Sequence, residues 1–171
     1  MKKSAVCSAL MLAMLLASVV IAMELADDIA KYGSCSYCGM DRQKFAHSRM
    51  LIEYSDGSSI GVCSLHCAAL DLANQLNKMP TNIKVADFNS KALVGAEEAT
   101  WVVGGGVKGV MTGRAKWAFV IKTDAEKFIS TNGGEIVGFE EAAQAAYEDM
   151  YKDTKMIRMK RQEMKKMKMK M

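Results

Sequence analysis

Two pairs of cysteines constrain this chain more than any other feature. Two residues separate Cys35 from Cys38 and three separate Cys63 from Cys67, with twenty-four residues between the pairs. Those intervening residues predict a β-hairpin with a Ser-Asp-Gly-Ser turn, flanked by two strand-like segments. Two cysteine pairs separated by a hairpin are typical of zinc sites, because four soft ligands can close into a tetrahedron.

The N-terminus predicts export. Lys2 and Lys3 precede an apolar run from Ala5 to Ala22, the pattern of a secretory signal peptide with cleavage after Ala22. An uncleaved membrane anchor is the alternative, since the run approaches the length that spans a bilayer. We therefore expect a protein of the periplasm or cell envelope, either free or tethered to the membrane. In an exported chain the four remaining cysteines also suggest disulfides, with three possible pairings.

Charge is distributed unevenly. Residues 151–171 contain nine lysines or arginines against Asp153 and Glu163, a charge of +7, whereas residues 4–150 carry −5. The total of +4 is thus no sign of nucleic-acid binding, and we predict no such partner. The tail predicts disorder with docking on an acidic protein or an anionic membrane. The second interpretation is weak copper(I) capture by six thioethers, of which Met164, Met167 and Met171 share a helical face.

The order of predicted elements indicates an α+β fold with two small lobes, each of strand-strand-helix-strand type. The predicted elements are strands 49–54 and 59–63, helix 64–78, strand 82–88, strands 99–103 and 117–121, helix 123–130 and strand 135–139. A helix begins near Glu140 and can continue into the tail. Ser64 and Thr123 are predicted helix caps, the latter with Glu126 in a capping box. The predicted regions are a leader (1–22), a first lobe (23–90), a second lobe (91–150) and the tail (151–171).

Met40 distinguishes copper from zinc. A thioether is a poor ligand for zinc but a good one for copper(I). Met40 follows Cys38 by two residues, so in an extended segment both side chains would point the same way. Cys67 lies in the first turn of the predicted helix, where the helix N-terminus would favour its thiolate. His66 is a further candidate ligand beside Cys67.

The chain resembles the NosL family between about Cys35 and Ala143. The resemblance rests on an ordered set of motifs: Cys-x-x-Cys-Gly-Met at 35–40, Val-Ala-Asp-Phe at 85–88, Thr-Trp-Val-Val-Gly at 100–104, Gly-Val-Met-Thr-Gly at 109–113, Asp-Ala-Glu-Lys-Phe at 124–128 and Gly-Gly-Glu-Ile at 133–136. The family implies a periplasmic copper-binding accessory protein associated with nitrous-oxide reductase, and an α+β fold like a lobe of organomercurial lyase. It also implies that Cys38 and Met40 are ligands. The cluster of Cys63, His66 and Cys67 and the basic tail depart from the family pattern, which indicates a NosL-like paralogue.

The resulting hypothesis is a non-enzymatic copper(I) chaperone or store for a client copper enzyme or copper transporter. Cys38 and Met40 are the expected core ligands, completed by Cys35 and one of Cys67, Cys63 or His66. The alternatives are a structural zinc module using the four cysteines and a thiol oxidoreductase. Outside the cluster, Met111 is interpreted as packing or as a distal ligand, His47 as a structural or surface residue, and Met50 as core.

Overall fold

The computed structural model describes residues 28–170. It confirms an α+β fold with two antiparallel sheets and a long C-terminal helix. The predicted leader at 1–22 lies outside the described residues. Within residues 28–170, no helix combines the length and apolar character needed to cross a membrane.

The first sheet contains four strands in the spatial order β2-β1-β3-β4. These are β1 (Met50–Tyr54), β2 (Ser59–Val62), β3 (Pro80–Ala86) and β4 (Leu93–Gly95), and helix α1 (Leu65–Asn74) connects β2 to β3. The predicted hairpin is confirmed, with Gly57 at φ 80° in its turn. β4 has no predicted counterpart, and its pairing with β3 extends the sheet beyond residue 90.

The second sheet has the order β6-β5-β7, with β5 (Thr100–Val103) central between β6 (Lys116–Phe119) and β7 (Glu135–Val137). Helix α2 (Lys122–Asn132) connects β6 to β7, as predicted. Helix α3 (Phe139–Lys168) follows without interruption into the basic segment. The prediction of a disordered tail is therefore wrong, because the helix that starts in the second lobe extends through residue 168.

The two sheets meet at Asp87 and Phe88, directly after β3. The Phe88 N–H donates to the Ala118 carbonyl at 2.7 Å, and Asp87 Oδ1 accepts from the Val120 N–H at 2.9 Å. Phe88 then packs against Trp117, with ring centroids 5.1 Å apart. His47 contacts both rings, so its interpretation as a packed residue agrees with the structure. One core therefore joins the lobes, and Met50, which is fully buried, belongs to it.

Two buried arginines fix the chain that leads into the cysteine region. Arg42 and Arg49 both pair with Asp28, at 2.7 and 3.0 Å, and all three side chains are at most 5% exposed. Arg42 also donates to the carbonyls of Val62 and Met50. Buried charges persist only when they are paired and hydrogen-bonded in this way. The network ties residues 28–42 to the edge of the first sheet.

The predicted caps are the least accurate part of the fold prediction. Ser64 occupies the N-cap of α1, but its side chain makes no capping hydrogen bond. Helix α2 begins at Lys122 with Ile121 as its N-cap, so the predicted capping box at Thr123 is wrong. The extended backbone of Ile121 precedes the helix instead, two residues before the predicted cap at Thr123. Helix α1 ends at Asn74, before the predicted end at residue 78, and Leu76 beyond it is 88% exposed.

Candidate metal centre

The first cysteine pair lies on a tight loop. The Cys35 N–H donates to the Met40 carbonyl, and the Gly39 N–H donates back to the Cys35 carbonyl, both at 2.8 Å. Gly39 has φ 75°, a conformation that favours glycine. The segment from Cys35 to Met40 is thus a tight loop, so the extended geometry considered for Cys38 and Met40 does not apply here. Both side chains nevertheless line the same pocket.

The second pair is positioned by the junction of β2 and α1. Cys63 directly follows β2, and Cys67 lies in the first turn of α1, as predicted. The Ser36 N–H donates to the Gly61 carbonyl of β2 at 3.3 Å, which brings the first loop against this junction. A Cβ on Gly61 would lie 2.5 Å from Tyr32 Cβ, so this close approach requires glycine.

All four cysteines converge. Their Sγ atoms lie within 4.8 Å of one another, with Cys38 to Cys63 at 3.4 Å and Cys63 to Cys67 at 3.8 Å. A disulfide requires about 2.05 Å, and all four thiols are free. Cys35, Cys63 and Cys67 are at most 2% exposed, whereas Cys38 is half-buried. The cluster is therefore a compact sulfur site that reaches the surface through Cys38.

The pKa shifts within the cluster differ between the two pairs. Interactions with Cys38, then with Cys63 and Cys67, lower the pKa of Cys35 despite burial. At Cys38 the Cys35 sulfur raises the pKa, but Cys63 and Cys67 outweigh it and the net pKa is lowered. Cys35 and then Cys38 raise the pKa of Cys63. These directions favour the thiolate form at the first pair over the thiolate form at Cys63.

The pKa of Cys67 does not follow the prediction from its helix position. The Cys35 sulfur contributes most to raising this pKa, followed by Cys38, Cys63 and burial. This direction is opposite to the effect expected from the α1 N-terminus, and a role for Cys67 as a metal ligand stays a prediction.

Within the described residues, the group of converging ligand atoms contains the four cysteines and not His66. Its Nδ1 lies 3.5 Å from Asp153 Oδ2 on α3, and neither atom has a hydrogen-bond partner. Burial lowers the pKa of His66, while Asp153 opposes that shift. Asp153 also accepts the Gly113 N–H at 2.8 Å. The contact links α1 to α3, and a ligand role for His66 stays a prediction.

Asp71 is a supporting residue that the sequence interpretation missed. It is 1% exposed on α1 and accepts hydrogen bonds from the hydroxyls of Tyr37, at 2.8 Å, and Tyr54. Tyr37 lies between Cys35 and Cys38, so this bond holds the loop against α1. Burial and then Asp71 raise the pKa of Tyr54, which keeps that hydroxyl a donor. In the sequence, the signal for such a role is an acidic side chain at an otherwise apolar position of the helix.

A pocket of about 570 Å³ opens beside Cys38. Cys38 and Met40 form one wall, the loop at 108–113 forms a second, and α3 forms the third. Met111, at φ 62°, lies on the second wall, so the structure brings this candidate ligand to the same pocket. The α3 wall includes Met156 and Met164, two of the six tail thioethers that the sequence suggested for weak copper(I) capture. Met167, predicted to share a face with Met164, is 59% exposed.

Comparison with known proteins supports a relationship over most of the described chain. The NosL family model matches residues 26–147. The crystal structure of the copper chaperone NosL from Shewanella denitrificans is similar, with a TM-score of 0.52 and 25% identity. That alignment covers 66% of this chain and 90% of the other. A comparison with curated proteins gave no match. The part of α3 beyond residue 147 lies outside the family match.

Proposed function

This chain belongs to the NosL family, and from that premise we propose that it binds copper(I) in the cell envelope and delivers it to a client copper protein. The observation that carries the proposal is the convergence of four thiols within 4.8 Å, with Cys38 and Met40 on the wall of an open pocket. Thiolate and thioether sulfur are the ligands that copper(I) prefers. The similarity to a solved copper chaperone supports the same metal.

Cys38 and Met40 are proposed as the core ligands, with Cys35 beside them. The lowered pKa values of Cys35 and Cys38 support this assignment, because a cation binds more readily to a thiolate than to a thiol. In the hypothesis drawn from the sequence, one of Cys63, Cys67 or His66 completes the set of copper(I) ligands. The sulfur distances favour Cys63, whose Sγ lies 3.4 Å from that of Cys38.

Delivery requires that the ion be reachable. Cys38 is half-buried beside the pocket, whereas Cys63 and Cys67 are fully buried. An incoming ligand from a client can therefore approach copper(I) at the Cys38 side and replace the protein ligands one at a time. The client is proposed to be a copper enzyme or transporter, and nitrous-oxide reductase is the first one to test. The role is proposed to be non-enzymatic.

A structural zinc site is the second candidate, and the sulfur geometry favours it specifically. Four sulfurs at about 2.3 Å from a tetrahedral zinc ion lie about 3.8 Å apart, which is close to the observed 3.4 and 3.8 Å. Such a site would use Cys35, Cys38, Cys63 and Cys67 and would make the protein an interaction module. Met40 and the pocket would then have no role in metal binding.

Metal analysis of envelope-purified protein, followed by anaerobic competition titration, tests both candidates. For the chaperone we expect one tightly bound copper(I) and weaker binding after Met40→Leu, with Met79→Leu as the control for an exposed methionine outside the pocket. Stoichiometric zinc that is lost after Cys67→Ser, together with copper(I) binding unaffected by Met40→Leu, would support the zinc module instead.

A further inference from the structure

The last six turns of α3 are a wall that the family match does not include. Residues 148–168 continue the helix past the end of the matched region at residue 147. Polar contacts hold this extension against the pocket. Asp149 pairs with Lys116 at 2.6 Å, and Asp153 accepts the Gly113 N–H at 2.8 Å. Further along, Arg161 donates to the Cys38 carbonyl at 3.3 Å.

The extension presents two different sets of methionines. Met156 and Met164 line the pocket together with Cys38. Met159 and Met167 are outside the pocket lining and are 52% and 59% exposed. At about 100° per residue, Met167 lies between Met156 and Met164 in angle around the helix axis, and Met159 lies about 60° from Met156. The helix thus contains its own comparison between thioethers that line the pocket and thioethers of the same helix outside the pocket lining.

The pocket-lining methionines are about two helical turns apart. Eight residues at 1.5 Å each place Met156 and Met164 about 12 Å apart along the helix axis. Met164 is 51% exposed and Met156 is half-buried. Copper(I) that reaches Cys38 through this pocket therefore meets thioether sulfur on the pocket wall.

Cysteine and methionine sulfurs bind copper(I) with different affinities. A thioether is neutral and binds copper(I) without losing a proton, whereas a thiolate adds a full negative charge. Copper(I) therefore binds more strongly at the cysteines than at the methionines. Transfer from the pocket wall to Cys38 is downhill, and it needs only exchange of one sulfur ligand for another.

Positively charged side chains on the pocket rim further weaken copper(I) binding to the methionines of the pocket wall. Lys108, Lys160 and Arg161 all line the pocket and are exposed. They oppose a bound cation, although salt screens exposed charges beyond about 8 Å at physiological ionic strength. The same cations attract an anionic copper(I) complex from solution. The pocket thus suits brief binding from an anionic donor, and it does not suit storage.

We propose that Met156 and Met164 form an outer thioether site that receives copper(I) from an anionic donor complex and passes it to Cys38. This inference rests on the proposed copper(I) function and adds two ligands from the extension. No electron or proton is exchanged at the outer site. One copper–sulfur bond to a methionine breaks as one to the Cys38 thiolate forms.

Stopped-flow transfer from the copper(I)–bicinchoninate complex to the reduced full-length protein tests the inference. Met156→Leu/Met164→Leu should slow uptake roughly tenfold, an effect of the size found when groups supporting a metal site are removed. Its equilibrium affinity should stay near that of the wild type. Met159→Leu/Met167→Leu is the matched control and should transfer at the wild-type rate. Leucine preserves side-chain volume and helix propensity in both variants.

The outcomes separate the two proposals. Equal uptake rates for both double variants would overturn the outer site while leaving copper(I) binding intact. No uptake by the wild type would instead contradict the proposed function. As a second measurement, ¹³C-methyl spectra of the wild type should show Met156 and Met164 shifting when copper(I) exceeds one equivalent. Shifts confined to Met159 and Met167 would also overturn the inference.

Discussion

The four-cysteine cluster and the α3 wall contribute sulfur to the same pocket, but they are held in place differently. Backbone hydrogen bonds from Cys35 and Ser36 fix the cluster, and three of its four side chains are at most 2% exposed. Side-chain contacts from Asp149, Asp153 and Arg161 fix the wall, and Met164 remains half exposed. A buried cluster suits tight binding of copper(I), whereas a helix held by side-chain contacts can shift its position more easily.

This difference indicates that separate parts of one chain determine the affinity for copper(I) and the access of copper(I) to the site. The cluster lies within the family-matched region, and the wall lies mostly outside it. Substitutions in the cluster should therefore change how tightly copper(I) is held, and substitutions in the wall should change how it arrives or how the helix docks.

Cys38→Ser should have the largest effect. It removes the half-buried sulfur that connects the cluster to the pocket, so copper(I) affinity should fall by about 100-fold or more, the upper end of losses caused by supporting groups alone. Anaerobic competition against a copper(I) chelator measures this change. Met79→Leu, a loss of sulfur from an exposed site, should leave affinity unchanged. An unaltered affinity in Cys38→Ser would remove Cys38 from the core site.

Asp153→Ala should loosen the wall while sparing the cluster. The substitution leaves the Gly113 N–H without its partner and removes the carboxylate facing His66. Gly113 is exposed and water can reach its N–H, so the free energy of unfolding should fall by about 0.5–1.5 kcal/mol, the net value of one hydrogen bond. Urea denaturation measures it, with the exposed Glu163→Ala on the same helix as the control. A loss of copper(I) affinity as large as that of Cys38→Ser would break the proposed separation.

Acid should weaken the wall through Asp149. Burial raises the pKa of Asp149, but Arg114 and Lys116 outweigh it and hold the pKa below its ordinary value of about 3.9. Because the pKa of Asp149 is lower in the folded protein, its ion pairs with Arg114 and Lys116 stabilise the fold at pH values above the pKa of the unfolded state. That stabilisation is lost as pH falls from about 3.9 through the lower folded pKa.

Thermal melts at pH 6 and at pH 3.5 check this dependence. Asp149→Asn should be less stable than the wild type at pH 6, and the difference between the two proteins should shrink at pH 3.5. A difference that grows on acidification would contradict the assigned ion pair.

Arg161→Ala should have the smallest effect. Its hydrogen bond to the Cys38 carbonyl is long, at 3.3 Å, and exposed, so its removal should cost about 0.5 kcal/mol. Amide hydrogen exchange of residues 160–168 should accelerate, since the helix end loses its contact with the cluster loop. Arg158→Ala, outside the pocket lining, is the control. Unchanged exchange in Arg161→Ala would show that α3 docks without this bond.

The sequence alone determined the fold class, the hairpin and the spacing of the two cysteine pairs, because these depend on short-range periodicity and on the residues of one turn. It also indicated Cys38 and Met40 as candidate ligands, whereas the convergence of the two pairs depended on the tertiary structure. The order of motifs was sufficient to indicate the family. The caps were predicted less well, because the N-cap of α2 is Ile121, and no polar residue marks it.

Tertiary structure decided which residues complete the surroundings of the cluster. Contacts between Asp153 and the loop at Gly113, and between Arg161 and Cys38, join residues that are 40 and 123 positions apart. No local pattern encodes contacts across such distances, so the sequence left the tail either disordered or a continuation of the helix, and the structure places that helix against the pocket. The orientation of His66 toward Asp153 is likewise a product of how α1 packs on α3.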